Sequence, residues 1–242
     1  MGRVARWGTH AGDGGYEDLS IEQSVDAAYD ALIAFQHDLH SGFARLERSV
    51  WSVIESMATE GRSFLLLAGL ERQDNRLWRH SINVSLYAAR LARALGIEGT
   101  VLHDVTVGAL LHDVGYLAMG VSPDLPSLTR EQRRRHPERG AALLAGVDGM
   151  PGVPILVAYE HHRSWDGAGG YPDGTRPPNL ASQITAIADT WDTLLQTRKP
   201  LPHGSRTQAA VRTLGRLRGE LLQPDLVDLF LELLGLSSEP AE

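Results

Sequence analysis

The sequence predicts an all-α fold built as a helical bundle. Three observations carry this. Apolar residues recur at the three- and four-residue spacing of a helix face along most of the chain. Helix-start and helix-stop signals fall where those runs begin and end. No stretch alternates apolar and polar residues as a half-buried strand would. The runs amount to roughly eight to ten helices.

The elements follow in order. Residues 1–19 hold five glycines and no helical period, and read as a flexible leader. At Ser20 the pattern turns helical, with Gln23 three residues on as in a capping box. Val25, Ala28, Leu32, Phe35 and Leu39 then mark one face. A second run carries Phe43, Leu46, Val50, Trp51, Ile54 and Met57 and stops at Gly61. A third spans Leu77 to Leu95, with Gly96 as its C-cap. The stretch from Thr100 to Leu117 is apolar on nearly all sides, which predicts a central buried helix. Gly120 to Leu128 reads as a loop, and Thr129 with Gln132 opens a helix through Leu144. Pro154 to His162 is a short apolar helix ending in a histidine pair. Asp166 to Pro178 is a Gly- and Pro-dense loop of a length that usually serves function. Helices over Leu180–Gln196, Thr207–Leu222 and Pro224–Leu234 complete the chain.

Composition narrows the chemistry. The chain has 242 residues, 43% hydrophobic and 22% charged, enough apolar material for a core without staples. There is no cysteine, which excludes disulfide scaffolds, zinc ribbons and thiol nucleophiles and suits a reducing compartment. A formal charge of −7 argues against a binder of nucleic-acid polymers. The longest apolar run, Phe64 to Leu70, is too short to span a membrane, and no signal peptide is evident. These features lead to the expectation of a cytoplasmic protein.

Of ten histidines, five are spread through the helical region: His80, His112, His136 and the pair His161–His162. Asp113 directly follows His112, inside Gly108-Ala-Leu-Leu-His-Asp-Val-Gly, and Asp189 lies in the apolar run ITAIADTWDTLL. An unpaired buried carboxylate is expensive, and a cation offsets that cost. Helical bundles build metal sites from inward side chains on several helices. Imidazole and carboxylate donors without thiolate suit iron, manganese or zinc. Neighbouring helix positions point about 100° apart, so His112 can serve one ion while Asp113 bridges toward a second. His10, His37, His40, His103 and His203 read as structural or solvent-facing, with His37 and His40 as neighbours on one helix face. Arg133, Arg134 and Arg135 read as a solvated face, with phosphate attraction as the alternative. Trp191 reads as core, and Trp165 as open to base stacking.

His112-Asp113, HHRSWDGAGGYP at 161–172 and Ala186-Ile-Ala-Asp189 resemble the HD-GYP subgroup of the HD-domain metal-dependent phosphohydrolases. Arg79-His80-Ser81, Leu128-Thr129, His136-Pro137 and Leu222 to Val227 extend the resemblance over residues 64–235. It implies an HD-domain helical bundle over 63–236, with extra N-terminal helices over 20–62, a GYP loop and a short tail at 237–242. It implies two divalent transition metals, iron or manganese foremost and zinc as an alternative. Their ligands would be His80, His112, Asp113, His136, His161, His162 and Asp189. Asp113 and His112 would be the catalytic pair, and Gly170, Tyr171, Pro172 and Arg198 would meet substrate. The implied activity is hydrolysis of cyclic di-GMP to linear dinucleotide or GMP. Two further readings stay open: a weak or inactive signalling module working through protein partners, and a phosphohydrolase of another nucleotide. The N-terminal helices offer a homodimer or partner surface, or simply pack on the core.

The chain departs from the family pattern at several positions. Tyr116 replaces the lysine of HD-x-G-K and is neutral at pH 7. Arg76 replaces a glutamate that serves a third metal, which predicts a binuclear site. Arg163 replaces the glutamate of HHE and reverses a charge beside the ligands. One extra glycine in Gly169-Gly170 is expected to shift Tyr171 relative to the histidine pair. Leu201 stands where a basic residue often lies.

Overall fold

A computed structural model describes residues 20–60, 76–121, 128–196 and 205–237. The leader, Gly61, Arg198, Leu201, His10, His203 and residues 238–242 lie outside the described residues. Among the described residues there are ten helices and no strand. They are α1 (Ile21–His37), α2 (Leu39–Glu60), α3 (Arg76–Ala94), α4 (Gly99–Leu111) and α5 (Gly115–Ala118). α6 (Arg130–Ala145), α7 (Gly152–Glu160), α8 (Leu180–Gln196), α9 (Arg206–Leu217) and α10 (Pro224–Leu233) follow. The only bridges among these residues are the isolated pairs Arg163–Gly170 and Arg218–Leu222.

The predicted helix starts are present. Ser20 and Thr129 each accept from the backbone N–H three residues on, while Gln23 and Gln132 reach back to the cap N–H. A third reciprocal box among the described residues forms at Ser205 and Gln208. Each satisfies two donors that a helix N-terminus leaves open. Gly96 sits at φ +78°, the left-handed conformation that ends α3.

One helix end and two internal breaks differ from expectation: the helix expected over Thr207–Leu222 stops at Leu217, where Arg218 turns extended. The first helical run breaks at Asp38, whose backbone is extended at φ −147°. Its carboxylate accepts from the N–H groups of His40 and Ser41 and so opens α2. His37 and His40 therefore lie on different helices rather than on one face, and His40 faces Asp148. The second break comes at the His-Asp dipeptide. α4 stops at Leu111, His112 to Val114 form a turn, and α5 is a separate short helix.

α4 is the central helix, as its composition implied. Leu102, Val105, Val107, Ala109, Leu110 and Leu111 are all buried. Each fully buried leucine contributes roughly 1.5–3 kcal/mol. α3, α7, α8 and α2 pack around it. α1 and α2 form a hairpin laid on this bundle. Its inner seam holds a hydrogen-bonded trio, Ser24, Ser52 and Ser56. The hairpin is joined to the bundle by Trp51 stacked on His103 at 4.7 Å and by Trp78 donating to Gln36. His103 is thus structural, as read. The N-terminal helices cover the bundle, and Trp191 packs in the core against Phe230.

Candidate metal centre

The seven predicted ligands come from five places in the bundle and converge. His80 projects from α3, His112 and Asp113 from the end of α4, and His136 from α6. His161 and His162 project from the end of α7, and Asp189 from α8. They form two adjoining groups: Asp113, His136, His161 and His162, and His80, His112 and Asp189. Within each group the ligand atoms lie within 4.8 Å of one another.

Local backbone geometry aims the rings. The last carbonyls of a helix have no helical donor. His112 Nδ1 donates to the Ala109 carbonyl at 2.8 Å, and His161 Nδ1 to Val157 and Ala158 at 3.0 and 3.1 Å. His136 lies inside a helix but achieves the same thing through its neighbour. Pro137 has no N–H, which frees the Arg133 carbonyl four residues back. His136 Nδ1 donates to that carbonyl at 2.7 Å. A carbonyl only accepts, so all three Nδ1 atoms carry the proton and each Nε2 presents a lone pair inward.

These lone pairs are crowded in a way that calls for a cation. His136 Nε2 lies 3.1 Å from His161 Nε2 and 3.0 Å from Asp113 Oδ1. His112 Nε2 is buried without a hydrogen-bond partner. Facing acceptors repel, and an orphaned buried nitrogen costs about 1–3 kcal/mol. A metal among them removes both costs, so the residues fit a divalent transition metal of the iron, manganese or zinc kind. Asp113 stands between the groups. Its Oδ1 faces His136 and, at 3.7 Å, His161, while its Oδ2 faces His112 at 3.5 Å.

The electrostatics agree. Burial works against the Asp113 carboxylate, yet its pKa is held well below the usual range once the facing His112 and His136 are charged and His136 and His161 donate to it, the role a metal cation takes over when their Nε2 atoms are neutral ligands. Asp189 behaves likewise, with His80 as the main stabilising partner. Burial opposes charge on His80, yet hydrogen bonds to Asp189 and Asp192 hold its pKa well above the ordinary value. Burial and the adjacent His161 push His162 well below it.

Two supporting residues were not read from the sequence. Asp192, one turn after Asp189, accepts from His80 Nδ1 at 2.6 Å. It also accepts from Asn83 at 2.8 Å and from Gln196. It orients His80 so that Nε2 meets Asp189 at 3.1 Å. The i, i+3 repeat of aspartates on one apolar helix was the available signal. Gly115 is the second. A Cβ there would lie 1.8 Å from the His136 carbonyl oxygen, so only glycine lets α6 approach the turn that carries Asp113.

The GYP loop closes over this centre. Gly170 has φ +83°, and a Cβ would fall 2.2 Å from the His162 carbonyl oxygen. Ser164 binds Gly169 in both directions, and Asp166 accepts from Ser164 and Ala168. The extra glycine is absorbed in this stitching. Tyr171 N–H donates to the His162 carbonyl at 3.1 Å, and its ring lies 4.6 Å from the His162 ring. Tyr171 thus sits against the second histidine of the pair. Pro172 follows it along the wall of a cleft. The Trp165 backbone is tied to the Leu221 carbonyl and its side chain is half-buried.

Arg163 is turned away from the metal ligands. It pairs with Glu160 at 3.3 Å and donates to the Arg176 carbonyl, bracing the loop. The reversed charge therefore does not face the centre. Tyr116 does lie beside it, 6% exposed and stacked on His136 at 4.3 Å between ring centres. It packs a ligand ring and supplies no cation.

An all-helical bundle with a two-part His/Asp centre at its helix ends defines the class. Residues 77–194 match the HD domain family. These residues thus carry an HD domain. It is 28% identical over 177 residues to a cyclic di-GMP phosphodiesterase of Thermotoga maritima, covering 67% of this chain and 46% of the relative. It is 27% identical over 232 residues to another of Pseudomonas aeruginosa, covering 91% and 50%. The chain thus spans about half the length of these curated relatives. An HDG"Y"P protein of Bdellovibrio bacteriovorus shares the fold, with a TM-score of 0.74 at 18% identity over 92% of this chain and 75% of that one. Among the described residues no helix is long and apolar enough to cross a membrane.

Proposed function

We propose that the protein is a metal-dependent phosphodiesterase that opens cyclic di-GMP at a binuclear centre, giving linear dinucleotide or GMP. The observation that carries this is Asp113, whose two oxygens face two different ligand groups. The curated relatives, named as cyclic di-GMP phosphodiesterases, support this choice of substrate. His80, His112 and Asp189 would hold one ion, and His136, His161 and His162 the other, with Asp113 shared. Bound there, divalent cations supply Lewis-acid charge at the scissile phosphate and an activated water.

The chain's own groups do the rest. Carbonyl-anchored rings keep the ligand nitrogens preorganised, so little reorganisation opposes the reaction. Tyr171 offers a ring face beside His162 for a nucleobase. Its pKa is raised by burial and by Asp113, so its hydroxyl stays protonated and can donate. Arg198, outside the described residues, would add a phosphate contact.

A second reading rests on Tyr116. With the lysine position filled by a buried ring, the chain would bind metal and nucleotide but turn over weakly, and signal through protein partners. The N-terminal helices would then carry the partner or homodimer contact. A third keeps the chemistry and changes the nucleotide. The test is turnover of cyclic di-GMP by protein loaded anaerobically with iron(II) or manganese(II), with products resolved by chromatography. Product from the parent and none from Asp113→Ala supports the enzyme. Metal-loaded parent without product overturns it and favours the binding module, and a nucleotide panel separates the third reading.

A further inference from the structure

The bundle leaves one basic side chain against the GYP tyrosine that the ligand set does not use. Arg134, on α6 two residues before His136, places its guanidinium carbon 5.3 Å from the centre of the Tyr171 ring. Tyr171 is thus shared between His162 and Arg134. On this side lies an open cleft of about 450 Å³, lined by Tyr171, by Arg130 and Arg134, and by three acidic residues, Glu131, Glu138 and Asp173. That volume is within the usual range for a small-ligand site. Arg130 and Arg134 are one turn apart on α6 and so share a helix face.

The state of Arg134 is informative. It donates to Asp173 at 3.2 Å, and the two side chains are 43% and 92% exposed. An ion pair that open contributes little, so another anion can displace it readily. Asp173 follows Pro172 directly, so the carboxylate is offered by the same loop that presents Tyr171. Arginine pairs with phosphate through two parallel hydrogen bonds while its plane stacks on an aromatic ring. Here the ring is in place, and Asp173 accepts a single hydrogen bond from Arg134 Nη2. A cyclic dinucleotide carries two phosphodiesters, and only one can be the scissile group at the metals. The other is free to meet a cation outside the ligand set.

We propose that Arg134 is the second phosphate-binding arm of the site, with Asp173 as the placeholder anion that a dinucleotide phosphate displaces. This rests on the reading of the site as a dinucleotide phosphodiesterase, and it assigns the cation to α6.

The experiment uses the metal-loaded full chain and cyclic di-GMP. Affinity is measured by equilibrium titration, and KM and kcat by chromatography of products. Arg134→Ala is expected to weaken binding and raise KM roughly ten- to hundredfold, the scale of one charged hydrogen-bond pair, with a far smaller fall in kcat. Arg134→Lys should recover part of the loss. Asp173→Ala separates the arm from a mere clasp. An arm released from its placeholder binds the dinucleotide more tightly, whereas a loop that has lost its clasp binds more weakly, as in Arg134→Ala. Arg134→Ala with parental affinity, or both variants weakened alike, overturns the proposal. Arg134-dependent binding without product sinks the phosphodiesterase reading but leaves the arm standing. Turnover indifferent to Arg134 does the reverse. A parent that neither binds nor hydrolyses the dinucleotide overturns both.

Discussion

Replacing Asp192 tests whether the centre depends on a residue that would touch no metal. Asp192 is 2% exposed and takes hydrogen bonds from His80, Asn83 and Gln196. In Asp192→Ala the His80 Nδ1–H loses its acceptor at 2.6 Å, and the ring loses both its orientation and the carboxylate that raises its basicity. Loss of such an orienting partner typically weakens metal binding roughly 10- to 100-fold, or about 1.4–2.7 kcal/mol. The effect should fall on the His80, His112 and Asp189 group and spare the other. The assay is metal content and affinity by chelator competition, with helicity checked by circular dichroism. One of two ions should become weak while the second is retained. Asp192→Asn should be intermediate, because an amide oxygen still accepts from Nδ1–H but carries no charge. A folded Asp192→Ala protein that binds both ions with parental affinity would refute the orienting role.

Three further outcomes are expected. Gly115→Ala drives a methyl into the His136 carbonyl and should cost about 1–3 kcal/mol, read as a lower thermal midpoint together with weaker metal binding at the His136 group. Gly170→Ala must relieve both φ +83° and a 2.2 Å approach to the His162 carbonyl. It should unseat Tyr171, so that turnover falls while bound metal measured by elemental analysis persists. Burial pushes the Tyr87 hydroxyl up to about 12 from 10.0. A raised acid pKa gives stability that is whole below pH 10 and declines as pH rises toward 12, by on the order of 2–3 kcal/mol. Tyr87→Phe should therefore flatten the alkaline limb of a denaturant-midpoint profile, and a variant that tracks the parent above pH 10 would contradict that assignment.

Much of the fold was legible because its signals are local. Capping boxes at Ser20 and Thr129, the Gly96 stop and the apolar girth of α4 each depend on residues within a few positions. The misreadings came where a local pattern continues through a break. Leu39 extends the apolar face of α1, but Asp38 turns the chain. Leu117 extends α4, but the His-Asp turn intervenes. Periodicity cannot register a break that preserves the apolar sequence. The effect of Arg163 was misjudged for a different reason. Its position beside His162 is visible in the chain, whereas its direction depends on Glu160 and the Arg176 carbonyl.

The sequence by itself determined the donor types, their order, and even part of their aim. His-Pro at 136–137 frees a carbonyl for the histidine ring within a single helix turn. The histidines at 112 and 161 fall at helix ends, where their rings reach the carbonyls three residues back. Tertiary structure alone decided that seven candidate ligands from five places form two groups, that Asp113 divides its oxygens between them, and that Arg134 meets Tyr171. The physical reason is range. Hydrogen bonds to near backbone follow from sequence spacing. Contacts across residues 80 to 189 exist only once the apolar faces of α3, α4 and α8 have packed and fixed the distances between them.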